Sequence, residues 1–300
     1  MKSSYEVVKK KVARLVMVIA MSAITEQLTA QLDPFGAAYF QDQYLLNPAM
    51  SGLEKKLNVN LGYRRQWNSI PGGPENQYVT GDYGFNNKVG AGLNFYNDKA
   101  GLLSTTRAMG TYSYHIALNA DRKVHLGLSA GIINRRIDNS SLNGEPDDPL
   151  LATGSKTRFD ADFGAAYADK KLTVQAAFPN MVTYFGKTET DAVDMPIFFA
   201  AASYKLSLTG ADDVLLEPKL AFRAVKGYDN IIDAGANVFF GKSLNVFGIY
   251  HTSKNSTFGA GLHLKNKLII TAVYSTATKD IKLYSGGNLE VGVAASLFQK

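Results

Sequence analysis

The sequence predicts an all-β protein: a transmembrane antiparallel β-barrel of about 14 strands, preceded by a signal peptide and a short irregular segment. Three observations carry this. From residue 56 to the end, apolar and polar residues alternate with period two in one run after another. The N-terminus has a basic stretch followed by an apolar run too short to span a membrane as a helix. The composition is 46% hydrophobic but only 19% charged, with 16 Tyr and 16 Phe among 300 residues. That charged share lies below the roughly 25% of soluble domains, and the aromatic load favours strands.

The elements follow in order. Lys9-Lys10-Lys11 and Arg14 form a positive region, Leu15 to Ile24 an apolar one, and Ala30 offers a cleavage site. Residues 1–30 therefore read as a secretory signal peptide. Residues 31–55 are irregular, aromatic and rich in small polar residues, with a turn signal at Asn47-Pro48. This N-terminal segment is expected to be a plug or a partner contact. Residues 56–300 form the barrel. In 56–67, Leu57, Val59, Leu61 and Tyr63 share one face, and Asn58, Asn60 and Arg64 the other. In 105–118 the less polar face carries Ala108, Tyr112, Tyr114 and Ile116, and in 158–168 it carries Phe159, Phe163 and Tyr167. Further strands are expected at 76–85, 88–97, 123–134, 171–179, 196–207, 213–226, 229–241, 243–252, 255–265, 267–276 and 287–298. The gaps at 98–104, 135–157 and 179–195 read as long polar loops, and those at 119–122, 169–170, 241–242 and 266–267 as short turns.

A soluble β-sandwich also alternates, but its strands are typically about 5–6 residues long and it seldom needs so many. Strands of about 9–11 residues with short turns at one end and longer loops at the other fit a membrane barrel. Hydrocarbon solvates no peptide group, so only a closed sheet satisfies every N–H and C=O. Tyr63, Tyr112, Tyr114, Tyr167, Tyr204, Tyr250 and Tyr274 fit interfacial girdles. The place expected for such a chain is the outer membrane.

Several classes are excluded. With no cysteine there is no disulfide, thiol nucleophile or Cys-ligated metal. The net charge of +6 includes +3 from residues 1–30, and no basic run follows, so nucleic acid is not a partner. His115, His125, His251 and His263 show no metal-ligand spacing, and each reads as solitary. Ser113 and His115 share a strand face, but no acidic or amide residue completes a hydrolase triad. No cofactor is expected, and the chain does not read as an enzyme.

A more specific pattern runs through the chain: Tyr44-Leu45-Leu46-Asn47-Pro48-Ala49, then Tyr63-Arg64-Arg65-Gln66-Trp67, Ile70-Pro71-Gly72-Gly73-Pro74, Asn97-Asp98-Lys99-Ala100-Gly101 and Phe159-Asp160-Ala161-Asp162-Phe163-Gly164. In this order the blocks resemble the PorP/SprF family of type IX secretion system outer-membrane proteins of Bacteroidota. The resemblance implies a non-enzymatic component that helps export or anchor particular surface proteins, adhesin or gliding-motility cargo among them. Implied partners are a secreted surface protein with a C-terminal sorting domain, periplasmic type IX secretion or peptidoglycan-binding components, and outer-membrane lipid. The residues expected to contact a partner are Tyr44, Asn47, Pro48, Arg64, Gln66 and Trp67. An inward Arg64 needs a carboxylate, for which Asp82, Asp160, Asp162 and Glu217 are candidates. The competing functional reading is a porin-like diffusion channel, since a barrel this wide leaves a lumen unless something fills it.

Overall fold

The computed structural model describes residues 36–137, 155–185, 196–209, 213–225, 229–265, 267–277 and 286–298. The signal peptide expected at 1–30 lies outside them, as do residues 31–35 and most of the loops expected at 135–157 and 179–195.

Among the described residues fourteen strands form one antiparallel sheet. They are β1 Leu57–Arg65, β2 Glu75–Gly84, β3 Val89–Ala100, β4 Leu103–Ala117, β5 Lys123–Ile137, β6 Ser155–Ala168 and β7 Leu172–Phe178. There follow β8 Pro196–Tyr204, resumed after Lys205 as Leu206–Ser207, then β9 Val214–Val225 and β10 Ile231–Phe240. The last are β11 Leu244–His251, β12 Asn255–Leu264, β13 Leu268–Ser275 and β14 Asn288–Leu297. Each strand pairs with its sequence neighbours, and β1 pairs with β14 from Leu57 opposite Leu297 to Arg65 opposite Leu289. The sheet therefore closes and has no edge to shield.

The two faces are inverted relative to a soluble protein. On β4 the outward Tyr112 is 55% exposed, whereas inward Arg107, Ser113 and His115 are buried. Leu93, Leu128 and Phe258 stand outward, and Arg223, His251 and Asn245 are wholly enclosed. A sandwich would bury the first group and solvate the second. A barrel in lipid does the reverse, which decides between the two folds.

The ends differ. At one end the β2–β3, β4–β5 and β6–β7 turns each begin with a side chain that caps the turn. Asn86, Asn119 and Asp169 accept backbone N–H bonds from residues two and three positions on, at 2.7 to 3.0 Å. At the other end β1, β5, β7 and β13 finish, and the connections that follow them are longer in sequence. The long loop expected at 98–104 is instead a tight turn, because β3 runs on to Ala100 and β4 starts at Leu103. Its polar residues remain in the ladder: Asn97 accepts from the hydroxyl of Thr106 at 2.9 Å, and the Asn76 amide meets Asp98. Tyr63, Tyr250 and Tyr274 face outward near the long-loop end, Tyr112, Tyr114 and Tyr204 near the short-turn end. That places amphipathic rings at both interfaces.

Leu93 lies outward, 71% exposed, near mid-strand height. On a water-soluble sheet Leu93→Arg would be nearly neutral. Here it is expected to destabilise the lipid-reconstituted protein by about 2–4 kcal/mol in equilibrium unfolding. An unchanged unfolding midpoint would contradict a lipid-facing wall.

Candidate functional site: the lumen and its N-terminal segment

Of the described residues before β1, 36–52 lie inside the barrel. They form a short helix, α1 (Ala38–Gln41), and two 3-10 turns, Gln43–Leu45 and Pro48–Met50. Asn47 caps the second turn by accepting from the Ala49 N–H at 3.0 Å, and Pro48 takes the first position, where no N–H is needed. The same Asn47 amide donates to Gln175 Oε1 on β7 at 3.0 Å. Tyr44 O–H donates to Thr111 Oγ1 on β4 at 2.7 Å, and Tyr39 O–H to Asp233 Oδ2 on β10 at 2.6 Å. Phe40 stacks on Phe247 of β11 with ring centroids 5.6 Å apart. The segment is thus tied to opposite walls. It also sits hard against the wall: a Cβ on Gly127 would lie 2.3 Å from the Ala49 nitrogen, and one on Gly164 would lie 2.0 Å from Asn47 Oδ1.

The wall's charges are paired around the segment. Arg223 donates to Asp233 through Nε at 2.8 Å and Nη2 at 2.9 Å. His251 Nδ1 lies 2.5 Å from Asp233 Oδ1, and its Nε2 lies 2.9 Å from Thr257 Oγ1, which meets Ser275 Oγ at 2.7 Å. One hydrogen-bonded chain therefore links five adjacent strands, β9 to β13, and Tyr39 plugs into its centre. Arg107 forks onto Asp162, which also accepts the Asn180 N–H at 2.9 Å. These groups are almost fully enclosed, so each charge depends on its partner.

The histidines at the short-turn end correct the expectation of solitary residues. Nδ1 of His125 lies 2.9 Å from Nδ1 of His115, because β4 and β5 place them directly opposite. His115 Nε2 donates to the Gly52 carbonyl at 3.1 Å, and Ser113 Oγ to the Ser51 carbonyl at 2.8 Å. Ser113 and His115 thus hold the end of the N-terminal segment. Gly52 N–H in turn donates to Asp82 Oδ2 at 2.8 Å.

The six residues singled out from sequence fall into two groups. Tyr44, Asn47 and Pro48 are buried inside the barrel. Arg64 faces inward at the long-loop end, close to Gly36, with Gln66 and Trp67 at the rim above it. Gln66 donates to Asn76 Oδ1 at 3.0 Å, and the Trp67 N–H donates to Asn288 Oδ1 at 3.2 Å. Trp67 has φ of 53° and a partly exposed ring. Of the carboxylates considered for Arg64, Asp162 pairs with Arg107 and Asp82 lies far down the strand opposite Asn58. The carboxylate in register with Arg64 is Glu290, on β14. Sequence reasoning missed Glu290, Tyr39 and Asp233, and gave Arg223 only an inward-facing position without its partner. The alternation places the three strand residues on the inward face but does not say what each one meets.

The family model described as "Type IX secretion system membrane protein PorP/SprF" matches residues 28–294. No curated protein matches the chain. Among solved structures, the CymD monoaromatic hydrocarbon channel is similar at a TM-score of 0.50 and 12% identity, over 88% of this chain and 92% of that one. The Acinetobacter baumannii outer membrane protein Omp33 is similar at a TM-score of 0.48 and 12% identity, over 82% and 99%. At such identity the likeness to CymD speaks for the barrel fold alone.

Two outcomes follow from this geometry. Asp233→Ala removes the carboxylate shared by Arg223, His251 and Tyr39, and is expected to cost about 3–5 kcal/mol in unfolding because it strands a buried guanidinium. A loss under 1 kcal/mol, as for an exposed pair, would contradict the network. The second concerns Asp42 in the N-terminal segment, whose carboxyl accepts from Thr80 O–H at 2.5 Å. Burial, aided by the nearby Asp82 charge, pushes its pKa up to about 6 from 3.8. Between these values the folded state holds a proton that the unfolded chain has lost, so its contribution is greatest below pH 4 and declines as pH rises through 6. Limited proteolysis of residues 36–55 is expected to be faster at pH 7 than at pH 4.5 with an acid-tolerant protease, and Asp42→Asn should flatten the difference.

Proposed function

Because the chain belongs to the type IX secretion system membrane protein PorP/SprF family, we propose that this outer-membrane barrel acts as a non-enzymatic docking component that helps export or anchor particular secreted surface proteins. The observation that carries the reading is the filled lumen. Tyr39, Tyr44 and Asn47 bridge from one internal segment to β10, β4 and β7, and occupy the space a diffusing solute would need. A barrel of this width whose interior is spent on its own chain is better suited to holding partners at its two rims than to conducting. In this reading Tyr44, Asn47 and Pro48 act as internal anchors that make the rims rigid. Arg64 supports the long-loop rim from beneath, and Gln66 and Trp67 present it to the cargo. Short turns of outer-membrane barrels face the periplasm, so the short-turn rim serves periplasmic secretion or peptidoglycan-binding components. The cargo is a surface protein carrying a C-terminal sorting domain, of adhesin or gliding-motility type.

The test is a comparison of surface and culture-medium proteomes between a deletion strain and its complemented parent. Loss of one or a few large surface proteins is expected, restored by the wild-type gene and only weakly by Trp67→Ala with Gln66→Ala. An unchanged proteome would overturn the secretion reading.

A further inference from the structure

Positive charge gathers at the short-turn end. Six connections join strands there, and each carries an exposed cation: Lys88, Arg122, Lys170, Lys205, Lys242 and Lys265. Over the described residues of 53–56, 85–88, 118–123, 169–171, 205–213, 241–243 and 265–267, eleven Lys or Arg stand against four carboxylates, Glu54, Asp121, Asp169 and Asp213. Residues 31–300 as a whole sum to only +3. The surplus of seven is therefore a property of this rim and not of the composition.

Most of these cations are not spent on the protein itself. Lys170 pairs with Asp121 at 2.9 Å, and Lys56 pairs with Glu54. Among the described residues no carboxylate comes within ion-pairing distance of Lys88, Arg122, Lys205, Lys242 or Lys265. Asp169 is engaged in its own turn, where it accepts the Lys171 and Leu172 N–H groups at 2.8 Å. The wall sets the height of the charges. In five of the six connections an exposed outward side chain precedes the cation by one to four residues: Phe85, Leu118, Tyr204, Phe240 and Leu264. A Lys or Arg stem that starts where the lipid-facing band stops carries its charge to the level of the lipid phosphates. The cations also run right round the circumference, from the β2–β3 turn to the β12–β13 turn. A docked protein needs its charges on one sector of the rim, whereas lipid surrounds the whole of it.

We propose that this collar binds anionic phospholipid, with its cations seated on the phosphodiester groups of the periplasmic leaflet. A zwitterionic lipid offers the same phosphate but brings its own ammonium to a rim that already has a surplus of seven positive charges. The collar therefore selects lipids of net negative charge. Glu54, Asp121, Asp169 and Asp213 weaken the field locally without reversing it. Interfacial cations of this kind also fix the height of the barrel in the bilayer. The choice of leaflet rests on the orientation used for the proposed function. The lipid preference itself is read on the isolated protein, so it stands or falls apart from cargo export.

The probe is acyl-chain spin-labelled phosphatidylglycerol, compared with spin-labelled phosphatidylethanolamine, in phosphatidylcholine nanodiscs holding the full-length protein at low salt. The motionally restricted fraction of each label in electron spin resonance gives its association with the barrel. Phosphatidylglycerol is expected to associate about fivefold more strongly, the effect of about one cation near the surface. Most of that preference should vanish at about 1 M salt. Lys88→Gln, Arg122→Gln, Lys205→Gln, Lys242→Gln and Lys265→Gln together should erase it. Arg65→Gln, Lys99→Gln and Arg136→Gln, at exposed sites near the long-loop ends of β1, β3 and β5, should leave it intact. Heat-modifiable gel migration checks that both variants are folded barrels. Equal association of the two lipids, a preference that survives high salt, an undiminished preference in the five-site variant, or its loss in the long-loop variant would each overturn the assignment. Displacement of the labelled lipid by poly-glutamate at constant ionic strength would also overturn it and give the rim to an acidic protein.

Discussion

A peptide N–H or C=O left without a partner in hydrocarbon costs several kcal/mol, and water is not there to supply one. Closure of the sheet through β1 and β14 is the response to that cost, and it fixes the rest of the molecule. Once the sheet is closed, period-two geometry sends every second side chain to lipid and every other one to the interior. The outward series must be apolar, as in Leu61, Leu93, Leu128 and Phe258. The inward series is then free to be polar, but a polar interior cut off from water must satisfy itself.

The N-terminal segment and the wall solve that problem jointly. Asp233 receives Arg223 from its own sheet and Tyr39 from the segment. Thr111 receives Tyr44, and Gln175 receives Asn47. Where the segment runs closest to the wall, the wall has Gly127 and Gly164, and a larger residue would collide with the backbone of residues 48–49 or the side chain of Asn47. Polar inward residues and missing side chains therefore have one cause, an interior built around a piece of the same chain. On the proposed function, the surfaces left for partners are the rims.

Strand phase was legible in the sequence because lipid imposes it. The outward Tyr112 and Tyr114 and the inward Ser113 and His115 stand on the faces that alternation assigns. Strand ends were less legible. Asn97-Asp98-Lys99 and Asn134-Arg135-Arg136 are polar on both faces, so the period-two signal fades while the ladder itself continues to Ala100 and Ile137. Beyond the apolar band nothing requires the outward face to be greasy. The interior was the least legible part. Asn47-Pro48 announces a turn, but Gln175 is 128 residues away from Asn47, and no local pattern connects them. The His115–His125 pair likewise depends on cross-strand register, which only the folded sheet supplies. Glu290 becomes meaningful only once β14 lies beside β1.

The barrel interior is occupied by residues 36–52 of its own chain, and the proposed function rests on that segment leaving no open path for solutes. Single-channel recording of the full-length protein in a planar bilayer addresses this directly. The expected trace is a quiet membrane with the protein shown to be inserted, and porin-sized steps only after the segment is cut out between residues 36 and 50. A steady, open, porin-sized conductance from the intact protein would contradict the filled lumen and turn the reading to a diffusion channel.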